Sequence, residues 1–290
     1  MMKEKLVKIA EKIQKIGDIK TIENKEKNEI SLSSLTFLPF GIWIYYIKSF
    51  AVLCCIFAPL MAILSFATNN SMVCGYQEYA EIIPFKCDIY NIALYAAFFF
   101  LRLLIICVFL KSWYRIAVKH EFINVREVLL INYQDWKLFI AFVLGIMINL
   151  SPVVSLALLI SRVPNPNWII ESIYFAVVSL GFLLPLFAVR FYSAFAFILD
   201  DKKLPTFKSF FKLTSDNGLK LLISLAIIAL FCAILMLYFT NIMGGLLPLN
   251  FWVFGILGEI LYNVVLLAIM VLVVNYMVVQ QYEIFKGSEE

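Results

Sequence analysis

The chain has 290 residues, of which 63% are hydrophobic and 15% are charged, and its formal net charge is +4. This composition, with a mean hydropathy of +0.91, excludes a soluble globular domain. The positive charges are concentrated in particular loops and form no surface that could follow a phosphate backbone, so we expect no nucleic-acid partner.

Residues 1–30 are predicted to form a basic cytoplasmic tail. Leu6, Ile9 and Ile13 recur at steps of three and four between lysines, which predicts a short amphipathic helix. Such a helix would adsorb to an anionic leaflet, and a solvated tail is the alternative interpretation. Because the charges interrupt any continuous apolar run, we do not expect a cleaved signal peptide here.

Residues 31–280 are predicted to form an all-α transmembrane domain, followed by a cytoplasmic C-terminal tail at 281–290. A hydrocarbon core about 30 Å thick needs roughly 20 predominantly apolar residues per helix. The sequence contains six segments that meet this requirement. They are 44–66, 89–110, 138–160, 168–191, 219–240 and 251–279.

The distribution of basic residues predicts the orientation of these spans. Of the 24 Lys and Arg residues, 20 lie in the two terminal regions and in alternate loops, whereas the other loops contain only Lys86 and Arg162. Cytoplasmic loops retain positive charge. We therefore predict a multi-pass protein with both termini in the cytoplasm.

Each outward-going span is preceded by a segment with aromatic and basic character. In the third segment, Phe207 and Phe211 share one face with Lys208 beside them, which is typical of a helix lying in the membrane interface. We therefore predict three repeated units, each an interfacial amphipathic helix followed by a transmembrane hairpin. The three interfacial segments are 34–48, 122–137 and 205–220.

Charged residues inside the predicted spans are candidates for a structural or functional role, because the free energy of inserting Arg or Asp at a helix centre is about +2.5 to +3.5 kcal/mol. Arg102 lies near the middle of the second span, and Glu259 lies about eight residues into the sixth span from its outer end. We interpret them as a structural ion pair if these helices pack together, with a substrate or lipid-headgroup site as the alternative. Asn263 and Asn275 are predicted to form hydrogen bonds between helices.

Two further sites are predicted near the membrane surfaces. Arg190, close to the cytoplasmic interface, is predicted to contact lipid headgroups. Cys74 and Cys87 share one outside loop, so an oxidising exterior could join them in a disulfide, and two free thiols are the alternative. With a single His in the chain we expect no metal and no cofactor. The remaining Cys residues lie within predicted spans as small apolar groups: Cys54, Cys55, Cys107 and Cys232.

One stretch carries a family resemblance. It contains an Arg at a helix end (Arg190), an acidic turn (Asp200-Asp201), an amphipathic helix from Phe207, and Thr214 followed by Gly218 before the next span. This pattern resembles the YciC-like bacterial inner-membrane family and the membrane domain associated with some glycerophosphoryl diester phosphodiesterases. The resemblance implies a six-helix bundle in the inner (cytoplasmic) membrane. It does not imply hydrolysis, because the catalytic barrel of those phosphodiesterases is a separate soluble domain.

The predicted function is non-enzymatic binding of a lipid or of another membrane protein, with the basic segments held by anionic phospholipids. The sequence contains no P-loop, HExxH, GxSxG or dinucleotide-binding motif, so we expect no enzyme. The alternative is a small transporter or permease subunit that uses Arg102, Glu259 and the proline-containing third and fourth spans as a path.

Overall fold

The computed structural model describes residues 4, 7, 11, 30–71, 89–121, 127, 130–144, 193–200, 207–246 and 251–285. All regular structure in these residues is helical, which confirms the predicted all-α class. Residues 133–144 are helical, and a 3-10 turn, Ser215–Asn217, precedes α6. We label the helices α1 (Leu32–Tyr45), α2 (Ile47–Ser71), α3 (Ile89–Ala117), α4 (Ser193–Leu199), α5 (Phe207–Thr214), α6 (Gly218–Leu246) and α7 (Phe251–Phe285).

Four segments of the described chain are long and apolar enough to cross a membrane, and they belong to α2, α3, α6 and α7. They correspond to the first, second, fifth and sixth predicted spans. The protein is therefore a multi-pass membrane protein, and the count of six spans stays a prediction. The four segments are Ile47–Ala67, Ala93–Ala117, Ser215–Asn241 and Ile256–Ile284.

Several predicted features lie outside the described residues. These are the span 168–191, most of the span 138–160, most of the tail 1–30, residues 286–290, Arg190, Cys74 and Cys87. The Cys residues that the structure does describe are free thiols on α2, α3 and α6, in agreement with their predicted role as small apolar groups. The three repeated units stay a prediction, because seven of the 16 residues of the second interfacial segment lie outside the described residues.

Two helices extend beyond their predicted spans. Helix α3 continues to Ala117, past residue 110, and carries Lys111 with it as a buried side chain that is 3% exposed. Helix α7 continues to Phe285, so the predicted tail at 281–290 begins within a helix whose Gln281 and Glu283 are buried. A hydropathy window ends at the first polar residues, whereas the helix continues wherever its side chains can pack.

The described chain divides into two compact units, each assembled from segments distant in sequence. We call the first the terminal unit, because it contains both chain ends, and the second the hairpin unit, because it contains the α2–α3 hairpin. The terminal unit comprises Met1–Ile42, Asn132–Ala229 and Val273–Glu290, and the hairpin unit comprises Trp43–Ile131 and Leu230–Leu272.

In the hairpin unit, α2 packs against α3 through one buried face. Phe50, Phe57 and Met61 recur at helical spacing and are buried, whereas Val52 and Ile63 on the other face are exposed. In a protein that crosses the membrane, the exposed apolar face is suited to contact lipid. The alternation therefore fixes which side of α2 meets α3.

An aromatic cluster fills the α2–α3 contact. The ring of Phe109 lies edge-on to Phe50 and Phe57, with centroid distances of 6.4 and 5.4 Å. Trp113 lies edge-on to Phe50 at 6.1 Å. Edge-to-face aromatic pairs contribute about 0.5–1.5 kcal/mol each beyond their buried area. The two helices of the hairpin are thus closely packed, and Arg102 lies on one of them, α3.

In the terminal unit, the last turns of α7 are buried, and two of their polar side chains, Asn275 and Tyr276, are hydrogen-bonded to other helices. The Tyr276 hydroxyl donates to the Leu221 carbonyl oxygen at 2.9 Å and accepts from the Ser224 hydroxyl at 3.3 Å, both on α6. Asn275 Nδ2 donates to the Pro39 carbonyl oxygen of α1 at 3.0 Å. These hydrogen bonds connect α7 to α6 and α1, and the last confirms the predicted interhelical role of Asn275.

The start of α1 is held by side chains distant in sequence. The Ser31 backbone N–H donates to Glu283 Oε2 at 3.1 Å, and the Ile30 backbone N–H donates to Asn217 Oδ1 at 3.4 Å. Ser31 Oγ in turn accepts from the Ser34 backbone N–H at 3.3 Å, as an N-cap does. A carboxylate at a helix N-terminus is also favoured by the helix dipole.

We expect Phe109→Ala to lower the free energy of unfolding by about 3–5 kcal/mol, because it leaves a cavity in the aromatic cluster. Phe109 is fully buried, whereas Phe100 on the same helix is 44% exposed, so Phe100→Ala should cost much less. Equilibrium unfolding of both variants in mixed micelles checks this difference. Equal losses would contradict the assigned packing face of α3.

Candidate polar site in the hairpin unit

Arg102 lies inside a membrane-spanning segment of α3. It stands nine residues after Ala93, where the segment begins, or about 13 Å along the helix axis. Its Nη2 donates to Asn263 Oδ1 of α7 at 2.8 Å. Its Nε is buried and has no hydrogen-bond partner. The guanidinium is therefore hydrogen-bonded through Nη2 and unsatisfied at Nε.

Asn263 connects this guanidinium to the backbone of α7. The Asn263 side chain is fully buried, and its Nδ2 donates to the Glu259 carbonyl oxygen at 2.7 Å. Because Arg can only donate, the amide must present its oxygen to Arg102 and its nitrogen to α7. Both ends of the amide are thus engaged, which fixes the orientation of the Asn263 side chain.

Glu259 lies one helical turn before Asn263, and this spacing places the two side chains on the same face of α7. The Glu259 Oε2 atom is buried without a hydrogen-bond partner. We refer to Arg102, Asn263 and Glu259 as the polar cluster. It contains opposite charges on two helices of one unit, and each charged group retains an unsatisfied buried atom.

The structure brings Arg102 to Asn263, one helical turn from Glu259, and the hydrogen bond of the guanidinium goes to Asn263. Arg102 and Glu259 are both described, and their side chains form no direct ion pair. The predicted interhelical role of Asn263 is confirmed. An unsatisfied buried polar atom costs about 1–3 kcal/mol, and more when it is charged, so the open positions make these two residues candidates for a ligand site.

Sequence reasoning did not single out Gln281, whose side-chain oxygen and nitrogen are both buried without a partner. Gln281 stands where hydropathy places the end of the last span, so no local signal marks it as an interior residue. Within the described part of the chain, no group of three His, Cys, Asp or Glu side chains could hold a metal ion.

The end of α3 carries polar contacts of a different kind. Arg115 Nε donates to Glu121 Oε2 at 2.5 Å, but both side chains are partly exposed, so the pair contributes about 0–1 kcal/mol. Tyr46 shares a hydrogen bond with His120 Nδ1. Burial, with a smaller effect of Tyr45, raises the pKa of Tyr46 to about 12, so its hydroxyl stays protonated near neutral pH. These contacts stabilise a helix end at the surface, where Arg115 and Glu121 satisfy each other.

We expect the Arg102–Asn263 hydrogen bond to give a coupling free energy of about 0.6–1.7 kcal/mol in a double-mutant cycle, as measured between membrane helices elsewhere. The cycle combines Arg102→Ala with Asn263→Ala and reads the free energy of unfolding. Asn275→Ala is the matched control, because Asn275 donates to Pro39 instead. Its combination with Arg102→Ala should be additive within about 0.5 kcal/mol. Additivity in both cycles would contradict the assigned contact.

Comparisons with known proteins add no family to this description. No protein-family model, curated protein or solved structure matches the chain. Function must therefore be inferred from the chemistry of the residues themselves, and the polar cluster is the part of the described chain that points most directly to a ligand.

Proposed function

We propose that the protein is a non-enzymatic protein of the inner membrane that binds the headgroup of a membrane lipid at the polar cluster. The observation that carries the proposal is the buried Nε of Arg102, which lies inside a membrane-spanning segment without a partner. Inserting Arg near a span centre costs about 2.5–3.5 kcal/mol. An anionic ligand at this position would offset that cost.

A lipid phosphate has the chemistry that the free side of this guanidinium requires. Arg presents its N–H donors in a planar fork that matches phosphate oxygens, often with two parallel hydrogen bonds. The bond from Nη2 to Asn263 fixes the plane of the fork and so reduces the entropy lost on binding. Apolar residues of α3 and α7 are exposed, among them Phe100 and Ile256, so these helices would contact lipid in a bilayer and a headgroup could reach the cluster from there.

Basic and aromatic residues outside the spans support a second, weaker interaction with anionic phospholipids. Tyr133 is 75% exposed, and the Nζ atom of Lys137 lies 4.7 Å from the centre of its ring. Lys208 and Lys212 are exposed on α5. Aromatic rings and lysines in this arrangement suit the headgroup region, where each Lys contributes about 1 kcal/mol near an anionic surface. We propose that these residues face the cytoplasm, as do both termini.

The six spans and the three repeated units belong to the same proposal. They are supported by the apolar segments of the sequence and by the interfacial pattern of α5. The resemblance to YciC-like inner-membrane proteins supports the inner membrane as the location. A membrane-protein partner could bind in place of a lipid. Native mass spectrometry distinguishes the two, because it shows whether the released protein retains a lipid or another protein.

A small transporter or permease subunit is the second candidate function. It is favoured by the two opposite charges of the polar cluster, since both retain an unsatisfied atom inside a span. In a transporter the cluster must be reached by water. Reaction of Arg102→Cys with a water-soluble thiol reagent would support transport, whereas lack of reaction would support a site closed to water.

We expect native mass spectrometry of the protein released from nanodiscs to show one retained phospholipid, and Arg102→Ala to lose it. The control is Arg115→Ala, which removes the same charge from the same helix but disrupts an exposed pair with Glu121. Arg115→Ala should retain the lipid. A wild-type protein released without lipid, or one whose lipid survives Arg102→Ala, would overturn the proposed site.

The proposed orientation predicts opposite thiol labelling on the two sides of the membrane. A variant in which Cys74 is the only remaining cysteine should react with a membrane-impermeant maleimide added to cells in which the outer face of the inner membrane can be reached. A variant without native Cys that carries Tyr133→Cys should react only after the membrane is opened. The reverse pattern would show that the orientation is inverted, and labelling of both variants from outside would contradict the predicted loops.

A further inference from the structure

We propose that the ligand of the polar cluster is a zwitterion, whose anionic group binds Arg102 and whose primary ammonium group binds Glu259. The proposal rests on the proposed lipid-binding function and adds the chemical class of the headgroup. The same chemistry occurs in an aminophospholipid headgroup and in a free zwitterion such as phosphoethanolamine. The geometry favours the lipid, phosphatidylethanolamine.

The unsatisfied atoms belong to one cationic and one anionic side chain. Arg102 Nε lacks an acceptor, and Glu259 Oε2 lacks a donor. A purely anionic headgroup would satisfy the guanidinium but would place its negative charge near an unpaired buried carboxylate. A simple cation would create the opposite problem. A zwitterion supplies a partner to both groups, and leaving either charge uncompensated in the interior is strongly unfavourable.

Asn263 connects Arg102 to the α7 backbone at Glu259. Its oxygen accepts from Arg102 at 2.8 Å, and its nitrogen donates to the Glu259 carbonyl oxygen at 2.7 Å, so neither end of the amide is free to rotate away. Residues one turn apart on a helix have Cβ atoms about 5–6 Å from each other. The proposal therefore places the Glu259 side chain one helical turn from the amide that holds Arg102, a spacing that two groups joined by a short carbon chain could span.

The order of the charges along the membrane normal matches a lipid. Glu259 stands three residues after Ile256, about 4.5 Å along the axis, and Asn263 stands seven residues after it, about 10 Å. In the proposed orientation α7 begins at the outer surface, so the carboxylate lies outside the position where Arg102 is anchored. In phosphatidylethanolamine the ammonium likewise lies beyond the phosphate, away from the acyl chains.

The donors of the ammonium group provide discrimination between lipids. A primary ammonium has three N–H donors for the Glu259 carboxylate. The quaternary ammonium of phosphatidylcholine has no N–H to donate, and phosphatidylglycerol has no cation. A site that hydrogen-bonds a ligand discriminates against analogues that lack the group, because its own buried polar atom is then left unpaired.

The experiment is native mass spectrometry of protein released from nanodiscs with equal amounts of phosphatidylethanolamine, phosphatidylglycerol and phosphatidylcholine, all with the same acyl chains. We expect the wild-type protein to retain phosphatidylethanolamine at least about tenfold over either competitor, the ratio that corresponds to the loss of one such contact. Glu259→Gln, which keeps the shape of the side chain, should retain lipid through Arg102 but lose the preference. Glu121→Gln, an exposed control, should keep it.

The outcomes separate this inference from the proposed function. If the wild-type protein retains no lipid from any mixture, the lipid-binding function itself fails. If it retains lipid without preference, or if Glu259→Gln keeps the preference, the zwitterion inference is overturned and lipid binding stands. Retention of lipid by Glu259→Gln shows that this variant folds. The preference of the wild-type protein for phosphatidylethanolamine is measured without any variant.

A final arm distinguishes the lipid from a free zwitterion. Soluble phosphoethanolamine is added to the wild-type protein in nanodiscs made of phosphatidylcholine alone. Weak or undetectable binding is expected for the lipid source, since the acyl chains contribute much of its affinity. Tight binding that requires both Arg102 and Glu259, together with no retained phosphatidylethanolamine, would overturn the lipid source.

Discussion

The constraint on which this structure depends is that the hydrocarbon core offers no water to polar groups. Every N–H, carbonyl and charge placed there must find a partner in the protein or in a ligand. Helices satisfy the backbone, and side chains such as Asn263 satisfy one another across helices. Where a charged side chain remains unsatisfied inside a span, its cost identifies it as a candidate for function.

The terminal unit and the hairpin unit treat their polar residues differently. In the terminal unit, Asn275, Tyr276 and Glu283 each have a defined partner in another helix or at a helix start. Gln281 lacks a partner there, but its amide is neutral and therefore less costly to bury. In the hairpin unit, Arg102 and Glu259 retain unsatisfied atoms and also carry charge. Because both residues lie in membrane-spanning segments, where a charge is most costly, they are the candidates for a binding site.

The polar cluster is precise because the surfaces around it are rigid. The aromatic contacts between α2 and α3 fix the helix that carries Arg102. The two hydrogen bonds of Asn263 then fix the guanidinium against α7. The proposed ligand would meet donors and acceptors that are already oriented, so less conformational entropy would be lost on binding.

The sequence by itself determined the class of the protein, its all-α character and the approximate positions of four spans, because hydropathy and charge are local properties of the chain. It also identified Arg102 and Glu259, since a charge in an apolar run is visible without a structure. The partner of Arg102 was decided only by the tertiary structure, because a residue on α3 has no local signal that selects Asn263 over other polar residues. The burial of Lys111 and Gln281 was decided in the same way, since helices continue wherever neighbouring helices provide a surface for packing.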